Sequence, residues 1–277
     1  MSFEGETFQF DDETAITSTG PNADGDHQWD THLTSNWNIG ENPNGGYLSA
    51  ALVRAMASLE STHPDPLTVT THYLRPGASA TDGIVSVEPI RTGRTLSTLR
   101  GRLDQGGKTR IETLAAFTDL SQAEDRLDLS LAPVDLPDPD DCVDRNSLDQ
   151  GVDISLLSRV EMRVDPKMAV AGEGERAEIH GWIRFSDGRP PDAQSLILFS
   201  DAFPPPLFNM LGNIGWVPTI ELTVHIRRQP VAGWIRGKFV VQDVAGNRMI
   251  EDGTLWDESG AIVARSRQVG LILTPEA

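Results

Sequence analysis

The chain contains a single cysteine, Cys142, so an intramolecular disulfide is excluded and the fold must rest on its apolar core. Basic residues are scarce as well, with 23 Lys and Arg against 41 Asp and Glu, a formal net charge of −18. Such a surface repels polyphosphate backbones and anionic membranes, so nucleic acid is not an expected partner. No apolar run approaches the roughly 20 residues of a membrane span, and membrane insertion is not expected. The opening Met1-Ser2-Phe3-Glu4-Gly5-Glu6 is acidic where a secretory signal would be basic and then apolar, which makes a cytoplasmic protein the expectation. No Gly-x-Ser-x-Gly elbow or His-Glu-x-x-His is found, and Gly106-Gly107-Lys108-Thr109 lacks the earlier glycine of a phosphate loop.

What is present is an internal echo at an offset of 153 residues. Thr70-Thr71-His72-Tyr73-Leu74-Arg75 lies over Thr223-Val224-His225-Ile226-Arg227-Arg228, Gly93 over Gly246, and Asp104-Gln105-Gly106-Gly107 over Asp257-Glu258-Ser259-Gly260. His27-x-Trp29 lies over His180-x-Trp182 at the same offset. In each half an apolar, helix-like stretch precedes a series of strand-like runs separated by turn signals.

In the first half, Asn42-Pro43-Asn44-Gly45-Gly46 reads as a turn into a helix over 47–59, whose Leu48, Ala51, Leu52, Ala55, Met56 and Leu59 form one apolar stripe. Strands are predicted over 67–75, 83–91, 95–103 and 109–117, bounded by Pro76-Gly77, Thr92-Gly93 and Gln105-Gly106-Gly107. In the second half an apolar segment over 193–210 is interrupted by Pro204-Pro205-Pro206, and strands are predicted over 216–228, 234–241, 248–256 and 261–273. A helix followed by an antiparallel meander, twice, is an α+β pattern of two tandem repeats. Repeats over 1–120 and 154–277 would be joined by an acidic, Pro/Asp-rich linker over 121–153. The linker's carboxylates lack the glycine and terminal Glu of an EF-hand loop, so no metal site is expected there. Cys142, flanked by Asp140, Asp141 and Asp144, has the wrong surroundings for a nucleophilic thiolate.

Several short motifs, taken in order, resemble the acyl-CoA thioesterase II family. They are Asn42-Pro43-Asn44-Gly45-Gly46-Tyr47, His72-Tyr73-Leu74-Arg75-Pro76-Gly77, Arg91-Thr92-Gly93-Arg94-Thr95, Ser200-Asp201, Pro218-Thr219-Ile220 and Arg267-Gln268-Val269-Gly270. The resemblance covers most of the chain outside the acidic linker. It implies a double hotdog fold in one polypeptide and hydrolysis of a fatty acyl-CoA, with no cofactor. The catalytic set it implies falls on Asp201, Thr219 and Gln268, which would hold and polarise a water, with Asp201 as base and no covalent acyl intermediate. Carried back by the 153-residue offset, those positions become Leu48, Pro66 and Ala115, so the second half alone holds polar groups there.

Gly45 and Gly46, at a helix start, are candidates to present backbone N–H groups to a developing oxyanion or to bound substrate. Arg75, Arg94 and Arg228, with Arg91 and Arg227, are candidates for the coenzyme A phosphates. His72 and His225 fall within alternating strand runs and are read as sheet residues, outside the catalytic set. Related enzymes assemble further, which implies a homo-oligomer, a dimer or tetramer. Two other classes compete: a hotdog protein that binds acyl-CoA or another apolar ligand without turnover, and a hotdog hydratase or dehydratase with a different acid/base pair.

Overall fold

The computed structural model describes residues 7–122, 127, 129–148, 151–212 and 214–273. The first half runs through α1 (Gln9–Glu13), β1 (Ile16–Pro21), β2 (His27–Leu33), the short ladder of β3 (Asn38–Ile39) and β4 (Asn42–Pro43), and α2 (Gly45–Leu59). It closes with β5 (Asp65–Tyr73), β6 (Thr81–Thr92), β7 (Ser97–Gln105) and β8 (Lys108–Thr118). The second half begins with β9 (Val143–Asp144), β10 (Val160–Val164), β11 (Glu178–Phe185), α3 (Ser195–Phe199) and α4 (Leu207–Leu211). It ends with β12 (Thr219–Ile226), β13 (Ile235–Ala245), β14 (Arg248–Trp256) and β15 (Ile262–Leu271).

All the long strands join one antiparallel sheet in the order β1-β2-β6-β7-β8-β5-β12-β15-β14-β13-β11-β10-β9. The order is nearly a palindrome about the β5/β12 seam, with β8 matching β15, β7 matching β14, β6 matching β13 and β2 matching β11. Thr70 pairs with Thr223 across that seam, and their hydroxyls lie 3.0 Å apart. These residues are 153 apart, so equivalent positions of the two repeats face each other and a pseudo-two-fold axis passes between them. Merging the sheets this way leaves neither seam strand as an open edge. Each half is the helix-on-curled-sheet unit of the hotdog fold, and the molecule is a double hotdog.

The offset holds into the next strands: Val69 pairs with Ala115 and Leu222 with Gln268. One strand further out it becomes 152, because Ala115 pairs with Leu99 and Gln268 with Glu251. This drift corrects the alignment of His27-x-Trp29 with His180-x-Trp182. Trp29 packs in the main core, whereas Trp182 clusters with Leu136 and Cys142, beside a Gly181 that faces Phe203 on the helix side. A slip of one residue moves every side chain of a strand to the other face, so that identity is coincidental.

The N-terminal helix forms where its stripe predicted. Asn44 caps it, its side chain accepting from the Tyr47 N–H at 3.0 Å, and it ends at Leu59, with Glu60 in an extended conformation. Tyr47, Leu48, Ala50 to Val53, Ala55 and Met56 are all buried against the sheet. In the second half the apolar segment is two short helices separated by Pro204-Pro205-Pro206, which supply no N–H for a continuous ladder. Strands β5 to β8 and β12 to β15 follow the predicted runs to within a few residues. Five further strands, β1, β2, β9, β10 and β11, extend the sheet before each central helix.

Within the acidic segment, residues 131–142 lie along the outer face of the second half. Trp182 Nε1 donates to the Pro137 carbonyl at 2.8 Å, Arg236 Nη1 to Val134 at 2.8 Å and Trp256 Nε1 to Leu131 at 3.1 Å. The Arg236 guanidinium stacks 4.4 Å from the Trp182 ring. Cys142 is buried there, its thiol pushed up to about 11 by burial and nearby carboxylates. Among the described residues, no helix is long and apolar enough to cross a membrane.

Candidate active site

Besides the seam, the two halves meet where the start of α2 touches the end of α3. A Cβ on Gly46 would stand 2.9 Å from Leu198 Cα and 3.0 Å from Asp201 Cβ, and one on Gly45 would stand 2.8 Å from the Tyr73 ring. Only glycine permits that approach. It brings the α2 N-terminus onto the carboxylate of Asp201, two residues beyond α3. Gly46 N–H donates to Asp201 Oδ2 at 2.8 Å, and Asn44 Nδ2 donates to the same oxygen at 3.0 Å and to the Asp201 carbonyl at 2.8 Å. The positive end of α2 adds to these bonds. Burial nevertheless dominates and pushes Asp201 up to about 6, with the Gly46, Asn44 and Gly45 donors pulling it partway back. The Gly46 N–H, expected to face an oxyanion, is therefore engaged in holding the carboxylate.

Gln268 projects from β15 next to β12, and its Nε2 donates to Thr219 Oγ1 at 2.9 Å. A register shift between Thr219 and Glu221 lets the first residue of β12 reach it. Asp201, Thr219 and Gln268 all line one cavity of about 870 Å³. Its walls are largely apolar and include Leu48, Leu157, Met168, Phe203, Trp216 and Phe239. Phe203 packs over Gly237, where an added Cβ would stand 3.0 Å from its ring. Pro204 and Pro205 form part of the same wall.

Of the arginines expected at coenzyme A phosphates, Arg75 lines this cavity, with Nη1 bonded to the Thr109 carbonyl at 2.9 Å. Arg94 and Arg228 do not, because both sit at the opposite end of the seam strands. Arg94 stands in the β6–β7 turn, where its carbonyl contacts His63, near the Asp65 end of β5, and Arg228 follows the far end of β12 from Thr219. Arg91 and Arg227 share that end. Short motifs place residues on strands but do not say at which end of the sheet the cavity opens. His72 and His225 are exposed on the sheet, outside the site.

Four cavity residues lie outside the sequence expectation for the site. Asn44 is a helix cap whose second amide function reaches across to Asp201. Tyr73 has a buried hydroxyl with no hydrogen-bond partner, and burial together with Asp201 and Glu221 raises its pKa well above the ordinary tyrosine value. Arg145 enters from the acidic segment, its guanidinium lowered to about 10 by burial. Glu251 is buried on β14 beside Gln268 and is pushed up to about 8 by burial, with smaller contributions from Asp201 and Asp252. A signal for Glu251 existed in β14, where Met249, Glu251, Gly253 and Leu255 alternate inward and a carboxylate interrupts the apolar series.

Residues 33–118 match the family model of the acyl-CoA thioesterase N-terminal domain, and residues 139–272 that of the C-terminal domain. A candidate thioesterase II from Thermobifida fusca is similar in structure, with a TM-score of 0.85 at 28% identity over 96% of this chain and 98% of its own. A hot dog fold protein from Alicyclobacillus acidocaldarius reaches a TM-score of 0.85 at 20% identity, covering 98% of this chain and 100% of its own. The dehydratase domain of PpsC from Mycobacterium tuberculosis, in complex with C12:1-CoA, reaches 0.59 at 15% identity over 94% and 99%. The last two likenesses are of fold alone.

Proposed function

Since the chain belongs to the acyl-CoA thioesterase family, we propose that it hydrolyses a fatty acyl-CoA to the free acid and coenzyme A with a water activated by Asp201. The observation that carries the reading is the presence of the Asp201 carboxylate and the Gln268–Thr219 pair on one apolar cavity. The hydrogen bonds to Asp201 from Gly46 and the Asn44 side chain converge on Oδ2, which leaves Oδ1 to accept a proton. The Gln268 side-chain oxygen and the Thr219 hydroxyl orient the water. As the water oxygen bonds to the thioester carbonyl carbon, Asp201 takes its proton. The tetrahedral adduct then collapses with cleavage of the C–S bond, and the proton leaves on the acid or on the thiol. Atoms and charge balance without a cofactor or a covalent enzyme intermediate.

The apolar walls suit an acyl chain, and Arg75 at the cavity suits an anionic part of coenzyme A. A base pushed up to about 6 is strong enough to take a proton and still mostly ionised at neutral pH. The test is thiol release from a panel of short-, medium- and long-chain acyl-CoAs by the wild type and Asp201→Asn. Turnover that collapses in the variant while its melting temperature holds supports the reading. Equal activity in the variant, or binding of acyl-CoA without thiol release by the wild type, removes it in favour of a ligand-binding role.

A further inference from the structure

Among the described residues, Glu251 is the one carboxyl besides Asp201 that lines the cavity. Its place in the repeat gives it meaning. Ala115 pairs with Leu99 on β7 as Gln268 pairs with Glu251 on β14, and Leu99 is fully buried core. The second half thus substitutes a carboxyl for a core leucine at the position beside Gln268, itself a polar replacement for Ala115. Two adjacent positions on the cavity face are thus polar where their first-half equivalents, Leu99 and Ala115, are apolar and buried. A buried carboxyl costs stability unless it is paired, yet among the described residues no cation is bonded to Glu251: the charged groups that act on it are Asp201 and Asp252, both acidic. Asp252 is held on the neighbouring position by Arg267 at 2.8 Å. The other titratable groups on the cavity, among the described residues, are Tyr73, Arg75 and Arg145.

Two carboxyls so placed divide their roles. Asp201 receives donors from Asn44 and Gly46 and keeps its charge; Glu251 lacks such donors and holds the proton. The hotdog site also needs a donor for the thioester carbonyl oxygen, and the Gly46 N–H is engaged by Asp201. We propose that Glu251 is a further catalytic residue of this site, a protonated carboxylic acid whose O–H donates to the carbonyl oxygen of the bound thioester. The donor strengthens as negative charge develops on that oxygen, and no proton need be transferred. The inference rests on the thioesterase reading of the same cavity and adds the oxyanion donor to it.

The test compares kcat against pH, from about pH 5 to pH 10, for the wild type, Glu251→Gln and Glu251→Leu on the acyl-CoA the wild type hydrolyses best. The leucine is the residue of the equivalent first-half position, and thermal melts verify that each variant is folded. We expect kcat to fall about 100-fold or more in Glu251→Leu, the usual loss of one oxyanion donor. Glu251→Gln keeps an N–H donor that does not titrate. It should recover most of that loss and lose the decline in rate that the wild type shows above about pH 8. Wild-type kcat in Glu251→Leu overturns the inference, as does an alkaline decline that survives in Glu251→Gln, or a Gln variant as slow as the Leu variant. A wild type with no thiol release overturns the parent reading instead, so the two failures are distinct. Infrared difference spectra between the two pH extremes give an independent readout: a neutral carboxyl band present near pH 7 in the wild type and absent in Glu251→Gln is expected, and its absence from the wild type contradicts the inference.

Discussion

The proposed role of Asp201 as base depends on surroundings that oppose each other. Burial pushes its pKa up, the α2 donors pull it down, and the result stands at about 6. Activity is therefore expected to rise with pH through that value, as the carboxylate form accumulates. Removing one donor should move this limb. Asn44→Ala deletes the amide bond to Oδ2, so the acid limb of kcat/KM is expected to shift to higher pH, with about 1 kcal/mol lost from the helix cap. An unmoved limb would show that Asn44 does not act on Asp201. The raised pKa values also have a sign for stability. A carboxyl whose folded pKa lies above its unfolded one opposes folding increasingly as pH rises through the interval between them and fully above the folded value. For Glu251 the interval runs from 4.5 to about 8. Glu251→Gln is thus expected to gain melting temperature relative to wild type at pH 9 and to gain little at pH 4, which paired thermal melts measure.

At the scale of elements, the helix stripe and the eight meander strands were legible because periodicity and turn chemistry agreed there. Leu48 to Leu59 repeats at helical spacing, and Gly-rich turns bound each strand. The strands ahead of each helix were not legible. In β11, Glu178, His180 and Gly181 break the apolar alternation, since Gly181 serves Phe203 and His180 pairs with Glu178 at 2.6 Å. The site was legible in part. Asp201, Thr219 and Gln268 were reached through the resemblance of short motifs to the thioesterase family, whereas Glu251 lies in none of those motifs and was masked in the repeat by the change of offset to 152 between β15 and β14. Helix contact makes a further prediction. Gly46→Ala puts a methyl into the α2/α3 contact, and a loss of about 1–3 kcal/mol with displaced Asp201 is expected. Denaturant unfolding together with kcat measures both effects. Full retention of both would mean the helices have room that the structure does not show.

For the whole molecule, the seam between β5 and β12 determines what counts as a unit. The Thr70/Thr223 pairing closes both inner edges, and Asp201 from one half is held by Asn44 and Gly46 from the other. Neither half holds a complete site. The chain is expected to unfold in one cooperative transition by calorimetry, and two separated transitions would show that the halves are independent domains. The same architecture explains why duplication could specialise the cavity. One copy has a leucine and alanine core at Leu99 and Ala115, while the other has Glu251 and Gln268 on the same sheet positions.

The central claim, that water activated by Asp201 attacks the thioester directly, is tested most directly by repeated turnover in heavy-oxygen water followed by mass analysis of product and protein. The account predicts that the acid carries one solvent oxygen from each turnover and that the peptide containing Asp201 stays unlabelled. Heavy oxygen accumulating in Asp201 would mean that the carboxylate itself attacks the thioester and that water only resolves an anhydride, which contradicts the account.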